Sequence, residues 1–348
     1  ADKDYQYWDK SYTLKEEYRA TTRLGFSGGE EEISAGALIN ILDKALKKIN
    51  DGLARAKDKT KGLYNSYFIN EATECHPAKE SCIMPLRFVQ KRLPLFLEGQ
   101  MHGLRLAQTL QEARTIYEAT KKSPLYDKKL EMYKVTAPLA GMPEEIGRCR
   151  IFMPGWLENE SIWMHMEYKY LLEMLKQGLY EEFYCEFKKL LIPFQKASRY
   201  GRSILENSSF MVSSAFPEKD LHGNGFVARL SGSTAEFLHI WLLTNIGPRP
   251  FTIDAKAGLS LRLRPILAGW MFDKKEKTYG FNFLSKIWVT YHNPGRKNTF
   301  GANKAQINKI MFNDKDGALV ELHSNTIPSP YAQQIRSRQV KYIDIFLK

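Results

Sequence analysis

Residues 233–250 read Ser-Thr-Ala-Glu-Phe-Leu-His-Ile-Trp-Leu-Leu-Thr-Asn-Ile-Gly-Pro-Arg-Pro. Up to Ile246 this is a strongly apolar helical run. Gly247-Pro248-Arg249-Pro250 then ends it, since proline lacks a backbone N–H and pushes the residue before it out of the helical region. The texture of the chain differs on the two sides of this break. Upstream, apolar residues recur three and four apart; downstream, they alternate with polar ones, the period of a half-buried strand.

Upstream, residues 33–53 place Ile33, Ala37, Leu38, Ile41, Leu42, Ala45, Ile49 and Leu53 on one helical face, with Ser34 as N-cap. Residues 93–117, 161–176 and, after Gly178, 179–191 repeat the pattern. Between the helices lie stretches at 62–92, 134–160 and 196–232 that are rich in Gly, Pro, Asn and aromatics. Loops this long in a compact domain are usually functional. Helices alternating with such loops predict a mainly α fold over residues 1–248: an (α/α) toroid of six-hairpin type, incomplete as a ring. Residues 259–264, 279–283, 287–291, 309–322 and 342–347 predict strands, giving a small antiparallel β domain over 249–348.

The chain has 348 residues and a formal net charge of +12. Its Lys and Arg are spread along the whole length with acids close by, whereas a nucleic-acid binder concentrates them in a patch or stripe. The same basic balance suits a phosphate-using site. Four cysteines, Cys75, Cys82, Cys149 and Cys185, show no paired metal-ligand spacing, so no metal is expected. No apolar run approaches the length of a membrane span and no signal peptide opens the chain, which together predict a cytoplasmic protein with reduced thiols. The start, Ala1-Asp2-Lys3-Asp4-Tyr5, lacks an opening structural element, as a cut inside a longer protein would.

Three segments have the residue types for chemistry. Residues 152–165 run from a Pro154-Gly155 turn through Trp156, Glu158 and Glu160 into a helix that carries His165. Carboxylates beside tryptophan hydrogen-bond and stack on sugars, although acids also favour helix N-termini for electrostatic reasons alone. Residues 200–210 present Arg202 and Glu206 among small polar groups. Residues 222–236 hold Ser231-Gly232-Ser233-Thr234 directly before the apolar helix. Exposed amides and hydroxyls at a helix N-terminus can hold an anion, and they can equally be an ordinary cap.

The order of His165, then Arg202 to Glu206, then Arg229-Leu230-Ser231-Gly232-Ser233-Thr234 resembles the C-terminal half of the cellobiose and chitobiose phosphorylase family. The later Gly258-Leu259, Leu263-Arg264-Pro265-Ile266-Leu267 and Trp270 are similar too. The resemblance implies an inverting glycoside phosphorylase acting on β-linked gluco-oligosaccharides, with inorganic phosphate as co-substrate and no organic cofactor. It implies phosphate binding by His165 and the Ser231-Gly232 pair, and an acid near the acceptor sugar at Glu206. From their own chemistry, Ser233 is expected to complete the phosphate turn, and Trp156, Glu158, Glu160 and Arg202 to bind sugar beside Glu206. The partners implied are an oligosaccharide and a missing N-terminal half of the same protein. That family's general acid is an Asp in a Trp-Asn-Asp type motif placed before the helix at 33–53. No such motif occurs here; Asp9 follows Trp8 without the Asn. A hydrolase of the same fold and a non-catalytic carbohydrate-binding or scaffold fragment are the alternatives.

Because losing a positioned general acid removes about 10² to 10⁴-fold in rate, the purified chain is expected to turn over no β-glucan, with or without phosphate. Robust release of sugar or sugar phosphate in a coupled assay would contradict this and turn attention to Asp9.

Overall fold

The computed structural model describes the backbone of residues 2–58, 62–77, 83–227 and 231–348. In chain order, α1 (Asp2–Thr22) and α2 (Ala35–Ala56) lead into a hairpin of β1 (Phe68–Pro77) and β2 (Ile83–Arg92). Next come α3 (Leu97–Leu106), α4 (Leu110–Lys122), the two-residue strands β3 (Tyr126–Asp127) and β4 (Met132–Tyr133), and α5 (Arg148–Ile151). The middle of the chain holds β5 (Ile162–Trp163), α6 (Met164–Lys176), α7 (Tyr180–Leu190), α8 (Ala197–Tyr200), β6 (Phe210–Met211), β7 (Gly225–Phe226) and α9 (Ser231–Asn245). The last hundred residues form β8 (Phe251–Asp254), β9 (Gly258–Arg262), β10 (Thr278–Phe283), β11 (Ile287–His292), β12 (Ile307–Asn313), β13 (Leu319–Leu322), β14 (Thr326–Ile327), α10 (Tyr331–Arg336) and β15 (Tyr342–Leu347).

This is a mixed α and β protein, 38% helix and 23% strand, and the expectation of a mainly α toroid is corrected. Helices do not pair around a ring. They gather on α6, which is buried along nearly its whole length and packs against α3, α7 and α9. The expected loop at 62–92 is largely the β1–β2 ladder, with Phe68 opposite Arg92 and Ile69 opposite Lys91. Acids on β1 face bases on β2: Glu74 meets Arg87 at 2.9 Å, and Glu71 pairs with Lys91. Opposite charges across a ladder favour this register.

Two local signals explain where the helices begin. Ser34 caps α2 as the sequence predicts, its hydroxyl accepting from Ala37 N–H at 3.2 Å. The single helix expected at 93–117 is two. Thr109 caps α4 by accepting from Glu112 N–H at 3.1 Å, while the Glu112 carboxylate accepts from Gln108 N–H at 3.1 Å. A Thr-x-x-Glu start of this kind satisfies amides that a continuous helix would have used internally. By contrast α2 has no buried residue: Leu38, Ile41, Leu42 and Ile49 are all at least half exposed.

Two apolar clusters build the interior. One is centred on α6 and draws in Leu97, Leu104, Ile116, Leu172 and Phe183. The other runs from Ile246 to Leu347 through the C-terminal strands. Met271 packs against both, and Tyr184 of the first cluster reaches it, its hydroxyl 3.5 Å from the Met271 sulfur. The C-terminal strands form a three-stranded sheet in the order β14-β9-β8 and a five-stranded sheet in the order β10-β11-β15-β12-β13. The second is not wholly antiparallel, as expected, because β15 lies parallel to β11. The chain returns through β12, β13, β14 and α10 before inserting β15 between β11 and β12, and that long return allows the parallel pairing. Among the described residues no helix is long and apolar enough to cross a membrane.

If α6 is the centre of the fold, Leu171→Ala should cost about 2–5 kcal/mol in urea unfolding, the range for a buried leucine that leaves a cavity. Leu38→Ala on the uncovered face of α2 should change stability by no more than about 0.5 kcal/mol. Equal losses at the two positions would contradict this arrangement.

Candidate functional site

The three segments with the chemistry-bearing residues meet on one small antiparallel sheet. Trp163 of β5 lies opposite Phe210 of β6, and Phe210 opposite Phe226 of β7. The strands are held by backbone bonds from Met164 N–H to the Ser209 carbonyl at 3.1 Å and from Ser209 N–H to the Phe226 carbonyl at 3.0 Å. Gly225 is required here, since a Cβ would sit 2.2 Å from the Tyr200 ring. The sheet fixes two neighbours of the site. It places His165 in the first turn of α6, two residues beyond Trp163. It also delivers the chain at Val227 toward α9, although residues 228–230, including Arg229 and Leu230, lie outside the described residues.

At the start of α9, Gly232 rests against His165. A Cβ built on Gly232 would lie 3.4 Å from the His165 Cβ and 3.7 Å from its Cδ2. The N-terminal turns of α6 and α9 therefore share one point in space. The His165 ring is half-buried, and its Nδ1 is buried without a hydrogen-bond partner among the described residues. Trp163 stands edge-on to the ring at 6.0 Å. Ser233 is fully buried; the Ser231 side chain lies outside the described residues.

Burial holds the His165 imidazole below its ordinary value of 6.5, and Lys169, one turn along α6, lowers it further. Glu98 of α3 acts in the opposite direction. Glu98 itself accepts from the Tyr67 hydroxyl at 2.8 Å and lies 3.8 Å from His102 Nε2. Lys169 was legible as the residue four beyond His165 on a helix. Glu98 and Tyr67 come from distant parts of the chain, and no local pattern pointed to them.

The other expected site residues have partners of their own. Trp156 is half-buried and packs edge-on against Phe210 and Phe226 at 5.1 and 4.7 Å, with Phe216 at 5.7 Å. Glu158 pairs with Arg148 at 2.7 Å, leaving its second carboxylate oxygen buried and unpartnered among the described residues. Glu160 is buried and pairs with Lys134 at 2.6 Å. Its backbone has φ +60°, a left-handed conformation uncommon for a residue with a side chain, and its N–H donates to Thr136 Oγ1 at 3.0 Å. Arg202 and Glu206 pair with each other at 3.2 Å, and Tyr200 donates to the Glu206 carbonyl at 2.7 Å. The structure thus brings Gly232 to His165 and sets Trp156, Glu158 and Glu160 on the approach to β5. Among the described residues no hydrogen bond or ion pair joins Arg202 or Glu206 to His165.

The lowered His165 pKa gives a pH test. The folded state disfavours the imidazolium, so between that lowered pKa and 6.5 the unfolded chain binds more protons. The His165 contribution to stability is complete above pH 6.5 and declines as pH falls through that window. An NMR titration should place the His165 midpoint below 6.5, and Lys169→Met should move it upward. A midpoint at or above 6.5 in the unaltered protein would contradict the burial and charge described here. No protein-family model matches the chain and no curated protein matches it, so the reading of the site rests on this geometry.

Proposed function

We propose that this chain is a carbohydrate-active protein that binds inorganic phosphate where the first turn of α9 meets His165. It would serve inverting, glycoside phosphorylase-like chemistry on β-linked gluco-oligosaccharides. The observation that carries the reading is the approach of Gly232 to His165. A helix N-terminus offers backbone N–H groups and the positive end of its dipole, and these need no side-chain ordering to hold an anion. An imidazole with an unpartnered buried nitrogen adds a donor, and Lys169 adds positive charge.

In phosphorolysis, a phosphate oxygen attacks the anomeric carbon from the face opposite the glycosidic oxygen. The C–O bond to the leaving sugar breaks as a general acid delivers its proton to that oxygen. Phosphate is the nucleophile, so the protein supplies one acid and an anion cradle rather than two carboxyl groups. Glu158, Glu160 and Glu206 are each engaged by a cation, and we assign none of them the acid's role. The acid is expected from a Trp-Asn-Asp type motif that this chain does not contain.

A second reading is a non-catalytic carbohydrate-binding or scaffold unit, favoured by those same ion pairs and by the aromatic neighbours around Trp156. In either reading we assign the protein to the cytoplasm, where the unpaired thiols of Cys75, Cys149 and Cys185 stay reduced.

Calorimetric titration with inorganic phosphate tests the proposal. The unaltered chain should bind it. His165→Gln should weaken binding by about tenfold or more, the loss expected for one hydrogen bond to a charged group, while leaving thermal unfolding cooperative. Undiminished phosphate binding by a folded His165→Gln variant would remove the phosphate role. Phosphate binding without any oligosaccharide binding would remove the carbohydrate part.

A further inference from the structure

A cleft of about 540 Å³ opens where the α6-centred cluster meets the C-terminal strands, well away in sequence from the His165 turn. Its size falls in the range of small-molecule sites, which favour junctions between structural units. One wall is the half-buried ring of Tyr180, at the start of α7, backed by buried Phe300 with ring centroids 5.7 Å apart. Pro265 and Ile266 continue the apolar lining. Two cations, Arg264 and Lys304, stand at the cleft, and among the described residues neither has an ion-pair or hydrogen-bond partner for its charged group. The exposed Glu181 also comes close to this lining, its carboxylate 3.3 Å from where a Cβ on Gly301 would stand.

The backbone around these cations is fixed. Arg264 N–H donates to the Ile246 carbonyl at 2.7 Å. Gly247 lies so close that a Cβ there would meet Arg264 Cβ and its carbonyl oxygen at 2.8 Å, and its φ of +103° suits glycine. Thr299 ties the facing segment down, donating from its hydroxyl to the Pro265 carbonyl at 2.7 Å and from its N–H to the Leu267 carbonyl at 2.9 Å. Ala305, next to Lys304, is buried and donates to the Asn298 carbonyl at 2.8 Å. Two unneutralised cations on anchored backbone beside an aromatic wall are complementary to an oxyanion attached to a flat or ring-shaped group. Asn325 also lines the cleft.

We propose that this cleft binds a small organic phosphate, with the phosphoryl group on Arg264 and Lys304 and the attached ring against Tyr180. Dianionic phosphate on an arginine fork is a charge-assisted contact, stronger than a neutral hydrogen bond. The ring gains by leaving water on an apolar surface. This site is independent of the His165 reading.

Phenyl phosphate is the probe, titrated calorimetrically into the full 348-residue chain. Saturable binding is expected, and Arg264→Ala and Lys304→Ala should each weaken it by about tenfold, as loss of a contact to a charged group does. Phenol should not compete. His165→Gln should leave phenyl phosphate binding unchanged, which separates failure of this site from failure of the other. Both cations are exposed, so their removal should leave the melting transition in place. Absence of saturation up to about 10 mM, beyond the weak end of specific affinities, would overturn the proposal. So would equal binding by the folded double variant, or displacement by phenol.

Discussion

Enclosing α6 is the constraint on which the rest of the structure depends. The helix is buried on nearly every side and carries acids that cannot be left unpaired in a dry interior. Glu167 is fully buried, and burial pushes its carboxyl well above the ordinary 4.5 while it accepts from Tyr133 N–H at 2.5 Å. Glu173 takes Arg105 of α3 at 2.7 Å and Lys176 at 3.1 Å. On the neighbouring α7, buried Glu186 binds Tyr117 and Lys121 of α4 at 2.7 and 2.5 Å. Apart from Lys176, which is on α6 itself, each partner lies on another element, so satisfying these carboxyl groups draws α3, α4 and the β4 strand to α6 and α7 in one register. Removing a single partner from such a pair leaves a buried acid uncompensated, which is far costlier than losing an exposed ion pair.

The candidate site follows from that enclosure. With α6 fixed, its first turn and the β5 strand before it are fixed too, and His165 has one position. The small aromatic sheet then returns the chain twice to the same place, and α9 begins against the imidazole. Glycine at 232 keeps that approach open: a longer side chain would occupy the space in front of the ring. The imidazole is held largely neutral near pH 7 by burial and by Lys169, so at neutral pH it offers a hydrogen bond more than a charge.

Local features were legible in the sequence, and non-local ones were not. Ser34 as a cap, the helical periods at 161–176 and 179–191 and the alternation at 279–291 and 342–347 could all be read, because each depends on neighbours a few residues away. The start of α4 was also readable from Thr109-x-x-Glu112, but an apolar period that ran on past it masked the break. The β1–β2 hairpin hid in a Gly-, Pro- and Asn-rich stretch whose strands are set by cross-strand charges. The toroid expectation failed on facts that no periodicity contains: α2 has an apolar stripe but no buried residue, and α6 sits at a centre rather than in a ring. The parallel placement of β15 and the arrival of Glu98 near His165 depend on long returns of the chain.

The account centres on His165 and the first turn of α9 acting together on an anion. The most direct measurement is the NMR response of the imidazole resonances, seven histidines in all, as inorganic phosphate is added. The account predicts a saturable shift at His165 that exceeds those of the other histidines and is lost in Gly232→Val, where the side chain fills the space before the ring. A His165 ring that ignores phosphate, or that responds equally with valine at 232, would contradict it.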